Sequence, residues 1–243
     1  MRVSRVLLVS ITTLTVALGM PSVASAAPAG SPTHLGAPYT TTSTGGATDC
    51  RAGAVCTPQS TASATTGRIN ATMDMQRTLA DEPAPESGFA YADQVVDLRV
   101  PKGATQLTAT FSWSVRSANT SARADHGVIY ASTALYANAS CSGCSTQDAV
   151  EGLVSSSSTV PASDNANAVA DVQKTLTITV DNLSGKGTVR LYTGASAHTD
   201  MNANRVCTGL PGCDLLPPVD PDHSGTAHAA VDATLAAVDV SYA

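Results

Sequence analysis

The sequence is poor in aromatic residues, in charged residues and above all in lysine. Of its 243 residues, 4% are aromatic and 13% are charged, and its lysines are Lys102, Lys174 and Lys186. No basic run occurs, so nothing in the chain is suited to neutralise a row of phosphates or an anionic membrane surface. The scarcity of lysine therefore excludes nucleic acids and membranes as expected partners.

Sequence motifs that mark common enzyme classes are also missing. The chain contains neither the Gly-x-Ser-x-Gly turn of serine hydrolases nor a glycine-rich phosphate-binding loop. Asp125 and His126 place a carboxylate beside an imidazole, but adjacent residues of a strand point to opposite faces. Without a bend they cannot act together in a catalytic triad. The sequence predicts a non-catalytic protein without a cofactor.

The first residues have the pattern of a signal peptide. Arg2 and Arg5 precede an apolar stretch over 6–20 that is too short to span a bilayer comfortably. Small side chains at 24–26 suit signal peptidase, so we predict that residues 1–26 are removed and that the rest is secreted. Cleavage removes two of the 13 basic residues and none of the 19 acidic ones, which leaves a net charge of −8.

All six cysteines lie beyond this leader, in three pairs that are close in sequence. The pairs are Cys50 and Cys56, Cys141 and Cys144, and Cys207 and Cys213. An even number of cysteines in an exported chain favours disulfides, and proximity favours these three pairings. Cys141 and Cys144 have the spacing of a thiol–disulfide exchange motif. Because they follow a strand pattern and do not open a helix, a structural disulfide is preferred to redox catalysis or metal binding.

The segment after the leader has little capacity to form a core. Residues 27–66 are rich in Ser, Thr, Gly, Pro and Ala, and their only charged residues are Asp49 and Arg51. Such a segment has too few apolar side chains to offset the conformational entropy that ordering costs. The sequence predicts a flexible arm over 27–66, followed by a folded domain over 67–243.

From Gly67 onward, apolar and polar residues alternate with a period of two, which is typical of half-buried strands. The clearest run covers 106–115, where Phe111 and Trp113 share the apolar face. Similar runs cover 69–75, 95–100, 127–137, 175–180 and 188–195. This pattern predicts an all-β fold, a two-sheet antiparallel β-sandwich.

Three local features refine this prediction. The alternation inverts near Ala236, which predicts either a β-bulge or a switch between sheets in the C-terminal strand. A turn or two of helix is predicted from Asp164 to Val172. The glycine-containing segment 182–187 predicts a hairpin that joins antiparallel neighbours.

Two groups of polar residues have the composition of metal ligands. The first consists of His198, His223, His228, Asp200, Asp220 and Asp222. Its histidines have no helical i, i+4 spacing and prolines surround them, so a solvated loop is the preferred interpretation. Asp200, Asn202 and Asn204 match the first half of a calcium loop, but Arg205 and Pro211 occupy the positions of its glycine and glutamate. We predict no metal site, with calcium as the alternative.

The segment between Cys50 and Cys56 is the most suggestive binding feature. A disulfide would present its five inner residues on a tight ring, and such pre-ordering lowers the entropy cost of binding. The predicted partner-binding residues are Cys50, Arg51, Ala52, Gly53, Ala54, Val55 and Cys56. Arg51 suits the acidic pocket of a trypsin-like protease. The alternative is that the ring only protects the arm from proteolysis.

The order of leader, low-complexity arm with a cysteine ring and all-β domain resembles the adaptor subunit of the secreted umbrella toxin particles of bacteria. The resemblance implies that the segment around Cys50 and Cys56 docks into the cleft of a lectin-bearing, trypsin-like subunit. It also implies that the β-domain joins a polymorphic toxin.

An arm without a core beside a self-sufficient domain predicts a secreted, non-catalytic adaptor that bridges extracellular proteins. Two alternatives remain open: a serine-protease inhibitor that acts through Arg51, and a carbohydrate-binding module or glycoside-active enzyme. Sugar sites commonly use exposed aromatic platforms. This chain has few aromatic residues, and Trp113 and Phe111 are patterned inward.

Overall fold

The computed structural model describes residues 32–39, 41–49, 54–78, 87–159, 164–201 and 224–243. Within these ranges all regular structure is β-strand, and no helix is long and apolar enough to cross a membrane. The strands of the described ranges are β1 Thr33–Leu35, β2 Thr41–Asp49, β3 Ala54–Ala62, β4 Arg68–Arg77, β5 Ser87–Arg99, β6 Gln106–His126, β7 Val128–Ser140, β8 Ser145–Gln147, β9 Ala149–Thr159, β10 Asn165–Asp181, β11 Thr188–Asp200 and β12 Ser224–Tyr242. The predicted signal peptide lies outside the described residues.

The strands form two antiparallel sheets. A seven-stranded sheet has the order β3-β4-β12-β6-β10-β8, and β1 lies beside the end of β12, beyond the part that pairs with β4. A five-stranded sheet has the order β2-β5-β11-β7-β9. The predicted all-β, two-sheet antiparallel sandwich is therefore confirmed.

The alternating apolar residues of the two sheets meet in one core. Phe111 and Trp113 of β6 are fully buried there, as their alternation predicted. The indole Nε1–H of Trp113 donates to Thr193 Oγ1 of β11 at 3.3 Å. This hydrogen bond satisfies the one polar group of the indole and joins the two sheets inside the core.

Of the two alternatives predicted for the C-terminal strand, a bulge or a switch between sheets, the structure contains the bulge. The register of β12 against β6 shifts between Leu235 and Ala237, which leaves Ala236 as the extra residue. Leu235 and Val238 are both buried, whereas Ala236 is exposed. The bulge keeps the apolar residues on both sides of it pointing into the core, because it compensates for the inverted alternation.

The predicted helix from Asp164 to Val172 is wrong. These residues belong mostly to β10, which pairs with β6 along its length. The backbone departs from regular strand geometry only at Asp171, where φ is 53°. Pairing along a complete neighbouring strand outweighs the weak helical preference of this alanine-containing segment.

The prediction that segment 182–187 joins two antiparallel neighbours of the same sheet is wrong. It connects β10 to β11, which belong to different sheets. Leu183 in this connection is fully buried, and its N–H donates to the carbonyl of Thr105 at 3.0 Å. The connection therefore crosses from one sheet to the other and covers one end of the core.

The described part of segment 27–66 contributes strands to both sheets. β2 is the outermost strand of the five-stranded sheet and pairs with β5, while β3 is outermost in the seven-stranded sheet and pairs with β4. The boundary predicted at Gly67 is corrected accordingly, because it would separate these strands from their sheets. Threonine-rich strands can be ordered at a sheet edge because backbone pairing there requires few apolar side chains.

Candidate functional site

The outer face of the five-stranded sheet carries most of the aromatic side chains of the chain. Five of the nine Phe, Tyr and Trp residues lie there, at positions that alternate with buried core residues. Together with one histidine they form what we call the aromatic face: Phe89, Tyr91, Tyr130, Tyr136, Tyr192 and His198. Because the inner face of the sheet packs on the core, the outer face is the one on which these rings can meet a ligand.

The strand register brings these rings close to one another. On β5, Phe89 and Tyr91 are stacked, with ring centroids 6.0 Å apart and an interplanar angle of 27°. Phe89 lies opposite His198 of β11 in the ladder, and the centroid of His198 is 6.4 Å from that of Tyr130 on β7. The rings therefore run across three adjacent strands.

Two tyrosine side chains lie against glycines of the neighbouring strands. A Cβ atom built on Gly45 would come within 2.6 to 2.8 Å of the Oη, Cζ and Cε1 atoms of Tyr91. A Cβ atom built on Gly194 would come within 2.8 Å of Tyr136 Oη. The absence of a side chain at these glycines leaves room for part of the Tyr91 ring and for the Tyr136 hydroxyl, and both tyrosines are partly exposed.

Polar groups lie among the rings. The hydroxyl of Tyr136 donates to Asp93 Oδ1. Further along the same face, Arg190 Nε and Nη2 donate to Asp97 Oδ1 and Oδ2 at 2.6 and 2.9 Å. This paired hydrogen bond from Arg190 lowers the pKa of Asp97 and raises the pKa of Arg190, so both stay charged at neutral pH.

A depression of about 620 Å³ lies at the end of the aromatic face. Tyr192, Arg190 and Asp97 contribute to it from the sheet, and the turns after β7 and before β11 contribute Ser142 and Lys186. The ammonium group of Lys186 donates to the carbonyl of Ser142 and so ties the two turns together. The depression is therefore continuous with the aromatic face through Tyr192.

The predicted disulfide between Cys141 and Cys144 is confirmed, and it closes the turn that forms one side of this depression. Gly143 within the turn has a positive φ of 70°, which glycine adopts without strain. The turn leads from β7 to β8 and does not open a helix, in agreement with a structural role for the disulfide.

Only three of the seven predicted partner-binding residues lie within the described ranges. Ala54, Val55 and Cys56 belong to β3, and the side chain of Val55 is 67% exposed. Cys56 takes part in a disulfide. The predicted pairing with Cys50, together with Arg51, Ala52 and Gly53, lies outside the described residues, as does the predicted pair Cys207 and Cys213.

The predicted histidine and aspartate group is divided between the two sheets. His198 lies on the five-stranded sheet, whereas His228 lies on the outer face of the seven-stranded sheet, with Nδ1 2.7 Å from Asp74 and Nε2 2.9 Å from Asn119. The structure does not bring these two histidines together. In the described part of the chain no group of three metal-ligating side chains occurs. His223, Asp220, Asp222, Asn202 and Asn204 lie outside it.

Asp125 and His126 line a second depression, of about 310 Å³. His126 lies opposite Ser224 in the β6–β12 ladder, and Asp125 interacts with Arg123 at 3.4 Å. Among the described side chains, no hydrogen bond links His126 to either Asp125 or Ser224. The arrangement is not that of a catalytic triad.

The aromatic face was missed at the level of the sequence. The scarcity of aromatic residues and the inward pattern of Phe111 and Trp113 argued against a platform. One feature of the sequence could have indicated it. Phe89, Tyr91, Tyr130 and Tyr136 alternate with the apolar residues of their strands, so they occupy positions where polar, outward-facing residues are expected. Only the order of β5, β11 and β7 shows that these positions are neighbours.

Comparisons with known proteins assign no family. No protein-family model and no curated protein matches the chain. A solved structure of TmCBM61 in complex with β-1,4-galactotriose is similar at 10% identity, over 76% of this chain and 88% of that one, with a TM-score of 0.17. A TM-score of this size is too low to indicate a common fold, so nothing about fold or ligand follows from it.

Proposed function

We propose that the chain is a non-catalytic carbohydrate-binding protein whose aromatic face holds a glycan. The observation that carries this proposal is the set of rings that meet on three adjacent strands of one outer face, where Phe89 stacks on Tyr91 and His198 lies beside Tyr130. Because the C–H faces of a pyranose ring are apolar, they pack against an aromatic ring that lies flat.

Polar side chains around the rings can form hydrogen bonds with the hydroxyl groups of a sugar. Ser132, Asn138 and Ser196 occupy outward positions on β7 and β11 between the rings. The side chains of Asp97 and Arg190 add charged acceptors and donors at one end. A surface that alternates apolar rings with small polar groups matches the amphipathic surface of a glycan better than that of an apolar peptide.

A glycan array probed with the secreted full chain tests this proposal. Phe89, which is 42% exposed, is the most accessible ring. We expect Phe89→Ala to weaken binding about fivefold to tenfold, and Phe89→Tyr to preserve binding, because the contact is made by the ring face. Val55→Asp, on the other sheet, serves as the control. Absence of binding to every glycan, or equal affinity of Phe89→Ala and Phe89→Tyr, would contradict the proposal.

The predicted adaptor role is the second candidate, and the position of β3 favours it. β3 is the outermost of the described strands in its sheet, and Val55 is exposed on it next to the predicted Cys50–Cys56 ring. An exposed strand edge can pair with a strand of another secreted protein. Purification from culture supernatant should then recover a partner with the original chain and with Phe89→Ala, but not with Val55→Asp. Recovery of the partner with all three chains would refute this role.

The protease-inhibitor alternative depends on Arg51, which lies outside the described residues. An inhibition assay with trypsin, using the intact chain and Arg51→Ala, tests it directly. Inhibition by the intact chain that Arg51→Ala loses would support this alternative over both others.

A further inference from the structure

The geometry points to a second element of recognition: the depression beside Tyr192 is a subsite for a sugar residue that carries a carboxylate, such as a uronic acid. This inference rests on the proposed carbohydrate binding. It concerns the turns after β7 and before β11, which lie at one end of the aromatic face.

The charged groups of the depression favour an anion. Lys186 and Arg190 contribute two positive charges to its lining, and Asp97 contributes one negative charge. The lining therefore has a net charge of +1, on a chain whose formal net charge is −6. One of the three lysines of the sequence therefore lines the same depression as an arginine.

Both cations retain hydrogen-bond donors for a ligand. Arg190 uses Nε and Nη2 to contact Asp97 and also makes a side-chain hydrogen bond with Tyr192, so some of the five N–H groups of its guanidinium remain for a ligand. Lys186 uses one N–H to contact the carbonyl of Ser142, and an ammonium group has three. A carboxylate can therefore bind to both cations without breaking an existing contact, and charge-assisted hydrogen bonds of this kind are the strong ones.

The position of these donors is fixed in advance by the fold. The Cys141–Cys144 disulfide closes the turn that presents the Ser142 carbonyl, and this carbonyl holds Lys186 in place. The Asp97 carboxylate holds the Arg190 guanidinium through two parallel hydrogen bonds. A site whose donors are already ordered loses less entropy on binding.

Tyr192 links the subsite to the aromatic face, because it lines the depression and lies on the same outer face of β11 as His198. A glycan that lies across the rings can therefore extend one residue into the depression. The charged sugar would then lie at the Tyr192 end of the aromatic face.

Calorimetric titration of the full chain with oligogalacturonate and with its fully methyl-esterified form tests this subsite. The two probes share a backbone and differ in charge. We expect the acid to bind at least fivefold more tightly than the ester in 50 mM salt, a preference that 500 mM salt reduces. Lys186→Gln keeps a donor for Ser142 but loses the charge, and it should remove most of the preference. Arg116→Gln, an equal loss of charge at an exposed position on β6, should retain it.

The outcomes separate this inference from the proposed function. Equal binding of acid and ester, or equal behaviour of Lys186→Gln and Arg116→Gln, overturns the charged subsite. If the array at the same time shows neutral glycans bound through Phe89, carbohydrate binding stands and only the subsite falls. Absence of binding to all glycans, charged or neutral, overturns both.

Discussion

The hydroxyl of Tyr39 donates a hydrogen bond to the backbone carbonyl of Leu235, 2.9 Å away and 196 positions later in the chain. Tyr39 is buried, and its own N–H donates to the carbonyl of Ala64. This residue therefore attaches the N-terminal segment to the C-terminal strand β12 next to its bulge. Removal of the Tyr39 hydroxyl therefore takes one hydrogen bond away from the buried carbonyl of Leu235.

We expect Tyr39→Phe to lower the free energy of unfolding by about 1 kcal/mol at neutral pH. Burial raises the pKa of Tyr39 from 10.0 to about 12. Because the unfolded chain loses this proton first, the contribution of Tyr39 is complete below pH 10 and is lost as the pH rises from 10 to about 12. Urea unfolding at several pH values should therefore show the difference between the two proteins shrinking over this interval. A constant difference would contradict the assignment.

Thr193 connects the sheets, since its hydroxyl accepts from the Trp113 indole at 3.3 Å and donates to the carbonyl of Tyr136 at 2.8 Å. Thr193→Val keeps the shape of the side chain but leaves a buried N–H without its acceptor. We expect a loss of about 1 to 3 kcal/mol in unfolding free energy. Thr110→Val, on the outer face of β6, should change it by less than about 0.5 kcal/mol. Equal effects would show that the buried hydrogen bond contributes little.

Gly194 is required by close packing on both sides of its strand. A Cβ atom there would meet the Ala92 carbonyl at 2.2 Å and Tyr136 Oη at 2.8 Å. We expect Gly194→Ala to destabilise the fold by about 1 to 3 kcal/mol, because backbone must shift to make room. A Cβ atom on Gly152 meets nothing within 4 Å, so Gly152→Ala should be neutral or slightly stabilising. Thermal unfolding of both variants checks this contrast.

The N-terminal strands should be needed for a stable sandwich. A chain of residues 67–243 lacks β1, β2 and β3, and it exposes the edges of β4 and β5 that these strands cover. We expect it to aggregate, since open strand edges pair with other chains. A chain of residues 32–243 keeps every described strand and should unfold like the full chain. Gel filtration and thermal unfolding compare the two chains. If the chain 67–243 were monomeric and as stable as the chain 32–243, the predicted domain boundary at Gly67 would be correct after all.

Prediction from the sequence succeeded where the signal is local and strong. The period of two around Trp113 identified a half-buried strand, and the inverted phase near Ala236 located a bulge, because each pattern reflects which side of one strand faces the core. The close spacing of Cys141 and Cys144 likewise determined their pairing.

Prediction failed where the outcome depends on a distant strand. The segment after Asp164 has no local preference strong enough to resist pairing with β6, so it is a strand and not a helix. The turn at 182–187 has hairpin chemistry, but the burial of Leu183 directs the chain into the other sheet. The threonine-rich segment before Gly67 lacks a core of its own and is ordered by sheets that later residues build.

The sequence by itself determined the fold class, because alternating polarity within each strand decides which side is buried before any partner is known. The tertiary structure alone decided the candidate site. Tyr91, Tyr136 and Tyr192 lie far apart in the chain, and each reads as an ordinary polar-phase residue of its own strand. They form one surface only because β5, β11 and β7 become neighbours in a single sheet, and that order results from long-range pairing which no local pattern encodes.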